Sequence, residues 1–376
     1  MFTLPQQQFL SLLRSGLWGT PADPRQFPER TDWNAIIRIA IEQAVLVIVA
    51  DGIETLPQEA WPPKDILLKL TMLRVKTQQM HQVLNGTLRQ VGGILDSHGI
   101  PSALLKGQGV AQNYRLPESR ACGDIDLYVG GKNYMPACGI LEKIKGAQMP
   151  DTTECDSHIV IKINNAIVEL HHKTDVLYGK KKNDSWQDWT LRNIDENFDS
   201  TALPQKEING YPVKTPPPTY NAIYLLQHAT RHLVSEGIGF RHVCDWAIFL
   251  HKHYMDIDME VLKSKIEEYK LSASWTVFSI LAHYYVGVPK EQIPFFTDKK
   301  KSKGDLLASY IFESGNFGRY NSVKRDNSRS YIKRKWHNFR FQMLRLLKLA
   351  SIIPAYTLNY GWGWMTDAVQ RFIKKN

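Results

Sequence analysis

Through most of the first hundred positions, apolar residues recur at three- and four-residue steps, the spacing that gathers them on one helix face. Turn clusters interrupt the pattern only near Pro21 to Pro28 and Pro57 to Pro63. A long helix is predicted between Pro63 and His98, and one buried helix from Ala35 to Ala50. Arg38, Glu42 and Gln43 break that second stretch, so it falls short of the roughly 20 nearly uncharged residues a membrane span needs.

The period changes at Gly99-Ile100-Pro101. Short apolar runs at 102–105, 124–129, 158–163 and 166–170 predict strands, with helices between them at 108–114 and 132–145. Asn164-Asn165 joins the last two runs, and both residues tolerate the positive φ of a tight hairpin turn, so an antiparallel pair is expected. A polar stretch, KKKNDSWQDW, follows Tyr178, then a Pro-rich hinge at 215–219. From Tyr220 to about Glu313 the helical period returns, giving four or five helices with breaks at Gly237 to Gly239 and Gly287 to Pro289. The expected fold class is α+β. A small mixed-sheet core (99–214) lies between an N-terminal helical region (1–98) and a C-terminal helical bundle (215–313), and a basic, aromatic-rich tail (314–376) follows.

The composition, 43% hydrophobic and 22% charged over 376 residues, is that of a globular protein with sizeable cores. Four widely spaced cysteines, Cys122, Cys138, Cys155 and Cys244, form no Cys-x-x-Cys pair and suggest neither a zinc ribbon nor a disulfide framework. The start, MFTLPQQQFLSLLRSGLWGT, lacks the marks of a secretory signal, so a cytoplasmic location is expected. The net charge of +10 is unevenly placed: residues 299–376 hold 17 Lys and Arg against 4 Asp and Glu, and the remainder 30 against 33. A tail this basic attracts anionic surfaces or polymers without choosing among them.

Candidate chemistry begins at GDIDLYV (123–129). In a strand Asp124 and Asp126 point to the same face, about 6.6 Å apart along the chain, while Ile125 and Leu127 face the core. Two such carboxylates can hold magnesium between a triphosphate and an attacking hydroxyl. Upstream, LLKGQG (104–109) sets Gly107 and Gly109 before a helical stretch, where bare amides can meet a phosphate and Lys106 can add a point charge; an ordinary strand-to-helix turn has the same glycines. Downstream, Glu169 and His171 share a strand face. Glu169 either meets solvent on an edge strand or completes a metal site with the aspartates, and His171 either lines the cleft or steadies Glu169.

The order strand, Lys106-Gly107, helix, then Arg120 and Gly123-Asp124-Ile125-Asp126-Leu127, and later Glu169-Leu170-His171, resembles the uncharacterised nucleotidyltransferase family of the polymerase-beta superfamily. The similarity covers roughly residues 70 to 255 and takes in LLQHATRH (225–232) and RHVCDWAIFL (241–250). Gln108 stands where the wider superfamily usually has Ser or Gly. The resemblance implies a polymerase-beta-like core in which Asp124, Asp126 and Glu169 bind two Mg2+ ions. It also implies that Lys106, Gly107, Gln108, Arg120 and His171 contact the nucleotide, an NTP. Its nucleoside monophosphate would pass to an unidentified hydroxyl acceptor with release of pyrophosphate; the alternative within the resemblance is a member that only binds nucleotide.

Three further features have two readings each. His228 and His232, at i and i+4, could ligate a metal or pack near the cleft, with Arg231 and Arg241 able to meet phosphate. Asp245 is expected to pair with a neighbouring basic residue such as Arg241. In the tail, Trp336, Phe339, Phe341, Leu344, Leu347 and Leu349 interleave with basic residues, which suits peripheral contact with an anionic membrane through residues 330–365 at the inner membrane surface. The same residues could pack on their own protein. Nucleic acid is not favoured as a partner.

Overall fold

The computed structural model describes residues 2–150, 157–318 and 331–373. Three short helices come first: α1 (Leu4–Trp18), α2 (Trp33–Glu42) and α3 (Leu46–Ile53). Thr3 starts α1 with a capping box, its hydroxyl accepting from the Gln6 amide while the Gln6 side chain accepts from the Thr3 amide. The single helix expected from Ala35 to Ala50 is two. Ala44 takes a left-handed conformation (φ 56°) between them, and the buried Gln43 side chain bonds outward to Ile311 O and the Phe240 amide.

The long helix predicted after Pro63 is α4 (Lys64–Ser97). It leads into β1 (Ala103–Leu104), α5 (Gln108–Ala111), β2 (Asp124–Tyr128), α6 (Gly130–Leu141), β3 (His158–Ile163) and β4 (Ala166–His171). The helix expected at 108–114 is one turn only. The β3–β4 hairpin forms as predicted, with Asn164 and Asn165 both at positive φ.

KKKNDSWQDW, read as a polar stretch, lies in a helix, α7 (Lys180–Asn193), which buries only Trp186, Trp189 and Thr190. A second hairpin, β5 (Gln205–Ile208) and β6 (Tyr211–Lys214), turns at Asn209-Gly210 and was not anticipated. The sheet order β3-β4-β2-β1-β6-β5 is mixed: β2–β4 and β1–β6 run parallel, the other pairs antiparallel.

The prolines at 216–218 begin the next helix rather than a hinge: Pro218 is the first residue of α8 (Pro218–Ser235), and Thr215 and Pro216 are buried. Then come α9 (Phe240–His253), α10 (Met259–Glu268), α11 (Ser272–Leu281) and α12 (Lys301–Ser314), five helices in the predicted span with breaks at the predicted glycines. The tail folds into α13 (Tyr331–Ala350) and α14 (Pro354–Ile373). Its inner residues Leu346, Leu349, Ile352, Ile353 and Tyr356 are buried, and Gln342 donates to Val234 O on α8 (2.7 Å). Among the described residues no helix is long and apolar enough to cross a membrane. Cys122, Cys138 and Cys244 are free thiols; Cys155 lies outside the described residues.

Two hydrophobic cores result. One face of the sheet, with Ile125, Leu127, Val168 and Leu170, packs on Leu84, Leu88, Val91 and Leu95 of α4 and on Ala137 and Leu141 of α6. The larger core joins the first three helices to α8–α12, with Phe9 edge-on to both Phe240 and Phe312. The other face of the sheet, carrying Asp124 and Asp126, turns toward α8 and α9.

Candidate active site

Period two along β2 sends Ile125 and Leu127 into the smaller core and Asp124 and Asp126 to the opposite face. Parallel pairing with β4 sets Asp126 beside Glu169, and the hairpin sets His158 beside His171, so all five polar side chains emerge on one surface. Glu169 is therefore interior to the sheet, flanked by β2 and β3. The edge-strand reading does not apply.

Close-set carboxylates in a partly buried place need cations. Lys106, just beyond β1, puts its Nζ 2.7 Å from Asp126 Oδ1, and His171 Nε2 lies 3.2 Å from the same oxygen and 3.4 Å from Glu169 Oε2. Asp126 Oδ2 is buried with no hydrogen-bond partner. Burial pushes the Asp126 carboxyl up, but Lys106 and His171 outweigh it and hold it well below the usual carboxylate range. Asp124, half-buried and next to Asp126, is raised instead, by desolvation first and the neighbouring carboxylate second. Burial alone would lower Lys106 and His171; the acidic neighbours reverse both, so each is raised and holds its proton more tightly.

Gly107 approaches this pair closely. Its φ of 58° and ψ of −121° suit glycine alone, and a Cβ there would stand 3.3 Å from Asp124 O and 4.0 Å from Asp126 Oδ2. Gln108 goes elsewhere: its amide is buried, without a hydrogen-bond partner, and does not line the cleft.

The cleft has a volume of about 280 Å³. Its sheet side is acidic and its helical side, from α8 and α9, is basic: His228, Arg231, His232, Arg241 and His242 face the carboxylates. Arg231 pairs with Asp175 at 3.0 Å. Arg241 donates from Nη1 to Ala121 O (3.3 Å), its Nε is buried and unpartnered, and no carboxylate among the described residues forms a salt bridge with it. Burial lowers all three histidines, His228 and His242 strongly, so they sit neutral.

Asp245 takes a different partner from the one expected. Arg120 holds it with two hydrogen bonds, Nε to Oδ1 at 2.8 Å and Nη2 to Oδ2 at 2.7 Å, and Tyr114 donates its hydroxyl to Oδ1 at 2.7 Å. Arg120 lines the cleft, yet this fork is already engaged, and its backbone carbonyl accepts from His81 (2.8 Å).

A family model described as an uncharacterised nucleotidyltransferase matches residues 29–287. The chain belongs to that family. The match reaches further than the motifs alone suggest, taking in α2 and α3 as well as the sheet and α8–α11. No curated protein matches the chain. Among solved structures it is similar to an antigenic nucleotidyltransferase-like protein from Paracoccidioides brasiliensis, at 15% identity and a TM-score of 0.33, covering 51% of this chain and 92% of that one.

The residues of the cleft suit a hard divalent cation. Asp124, Asp126 and Glu169 can each present an oxygen within 4.8 Å of the others, and the unpartnered Asp126 Oδ2 is the atom left over for an ion once Lys106 and His171 have engaged Oδ1. His158, Glu169 and His171 make a second such group, which shares Glu169. Neither group includes His228 or His232, whose rings pack edge to face at 4.4 Å. Sequence reasoning missed His158, Asp175 and His242. For His158 a signal existed, because a two-residue turn fixes the hairpin register and places it opposite His171.

Proposed function

We propose that this family member transfers a nucleoside monophosphate from an NTP to a hydroxyl acceptor, with Asp124, Asp126 and Glu169 holding two Mg2+ ions. The observation that carries the reading is the convergence of these three carboxylates opposite a wall that carries Arg231 and Arg241. When bound, the ions would neutralise phosphate charge and acidify the acceptor hydroxyl. Lys106 engages Asp126 Oδ1 and leaves Oδ2 without a protein partner, and His171 steadies both Asp126 and Glu169. Gly107 gives the phosphates room beside β2, and Arg120, held by Asp245, fixes the loop before β2. Arg241, the cation on the helical wall without a carboxylate salt bridge among the described residues, takes the phosphate chain.

Glu169 accepts the acceptor's hydroxyl proton as its oxygen attacks the α-phosphorus. The bond from that phosphorus to the β-phosphate bridging oxygen breaks, and pyrophosphate leaves. The test uses magnesium, labelled NTPs and candidate acceptors. Asp124→Asn, which leaves the Lys106–Asp126 pair intact, is expected to lower transfer at least about a hundredfold without changing the thermal midpoint, because metal-ligand charge supplies several kcal/mol. Unchanged transfer in this variant overturns the reading.

The Lys106–Asp126 contact favours one alternative, a protein that binds nucleotide without turning it over, since the ammonium already occupies one carboxylate oxygen. Calorimetric titration with a non-hydrolysable triphosphate, followed by a pyrophosphate-release assay, separates the two.

A further inference from the structure

The tail hairpin keeps apolar residues on a face that no described part of the chain covers. On α13, Trp336, Phe339, Leu344 and Leu347 are exposed by 40–68%, and positions three, eight and eleven residues on from Trp336 fall on one side of a helix. On α14, Leu358, Trp362 and Met365 repeat the pattern, with Leu358 and Trp362 at 69% and 70%. The two helices meet beside the α13 stripe: Phe339 stacks on Trp336 at 5.7 Å and, at 5.6 Å between ring centres, on Trp364 of α14, which itself packs on the core. The inward faces of the same helices are filled by Leu346, Leu349, Tyr356 and Tyr360, so the outer stripes are surplus to the fold.

Charge narrows the choice of occupant. Residues 331–366 include six Lys and Arg and no Asp or Glu. Lys333 and Arg340 are exposed, and their helical positions place them on the side of α13 that carries the apolar stripe. A second copy of the chain would bring like charge against like charge, and a neutral apolar partner would leave both cations unpaired. A sheet of anionic headgroups over an apolar layer matches both features at once.

We propose that the outer face of the α13–α14 hairpin docks in the interface of an anionic lipid bilayer. Trp336, Leu344, Leu347, Leu358 and Trp362 enter the boundary between headgroups and acyl chains, and Lys333 and Arg340 meet lipid phosphates. The helices lie in that interface rather than crossing it, in keeping with the lack of any spanning helix among the described residues. The stripe residues are separate from the cleft, so this surface and the nucleotidyl-transfer reading stand or fall independently.

The test is flotation of the full chain with vesicles of phosphatidylcholine alone and with added phosphatidylglycerol. Binding is expected on the anionic vesicles only, weakening as salt is raised. Two variants keep the fold, because every changed side chain is exposed: Leu344→Ser with Leu347→Ser and Trp362→Ser, and Lys333→Gln with Arg340→Gln. Each should weaken flotation about tenfold or more at an unchanged thermal midpoint. The proposal is overturned if the full chain stays with the unbound fraction, or if the apolar variant floats as well as the parent. It is also overturned if the stripe drives concentration-dependent dimerisation without vesicle binding.

Discussion

Arg120 and Asp245 are 5% and 8% exposed and joined by two short hydrogen bonds, which makes them the tie between the loop before β2 and α9. Replacing one member of such a pair leaves an uncompensated buried charge, typically about 3–5 kcal/mol of lost stability. Asp245→Asn should therefore lower the unfolding free energy measured in urea by that order, with the slope unchanged; a loss under about 1 kcal/mol would mean the pair is not buried as described. Strand periodicity made Asp124 and Asp126 legible as one face, and Glu169 and His171 as another, while the β2–β4 pairing that turns both faces the same way comes from the fold. The partner of Asp245 was not legible. Helix spacing offered Arg241, four residues away, while the guanidinium that meets it comes from 125 residues earlier, and only tertiary packing brings that loop to α9. Gln108 shows the same limit: beside Gly107 in the chain, it turns away from the cleft.

At the scale of elements, α8 and α9 carry His228, His232 and His242 into the cleft, where burial and the nearby cations Lys106, Arg231 and Arg241 lower their pKa values. An unfolded histidine titrates near about 6.5. Below that pH the unfolded chain gains protons that these folded histidines refuse, so stability is fully present above about 6.5 and declines as pH falls, by about 1.4 kcal/mol per pH unit for each fully titrating group. His171 and His81, raised in the fold by their hydrogen-bond partners against the effect of burial, act in the opposite sense: their contribution is fully present below about 6.5 and is lost as pH rises through their folded values. Denaturation of wild type and His242→Gln between about pH 7 and 5 should show the variant's profile flatter. Parallel profiles would mean that His242 protonates freely in the fold. Asn164-Asn165 between two alternating runs made the β3–β4 hairpin readable together with its register. Asn209-Gly210 carries a comparable turn signal, but β5 is short and mostly polar and β6 contains Pro212, so the pattern around it is weak. The α7 helix escaped notice because a helix burying three residues on an otherwise charged surface has almost no apolar period to read.

For the whole molecule, α4 matters most. Ile66 and Leu70 at its start belong to the helical core, and Leu84 to Leu95 belong to the sheet core, so one rigid helix ties the two together. The tail joins the helical core through its inner face, adding Leu346, Leu349 and Ile353 against the bundle and linking Tyr356 to Gln227 of α8 at 2.9 Å. Sequence could supply the tail's helical character but not its orientation. Apolar residues occupy both sides of α13, and periodicity alone does not say whether Leu347 or Leu349 turns inward. The structure buries Leu349 fully and leaves Leu347 at 66% exposure, which makes the pair a test of whether the basic tail is part of the folded body. Leu349→Ala removes packed methyls and should cost about 2–5 kcal/mol, while Leu347→Ala, on the outer face, should stay within about 0.5 kcal/mol. Measured by chemical denaturation of the full chain, equal and small effects at both positions would mean that the tail does not pack on α8 at all. A large effect at Leu349 alone places the inner face of the hairpin within the cooperative unit that holds the cleft's basic wall in position.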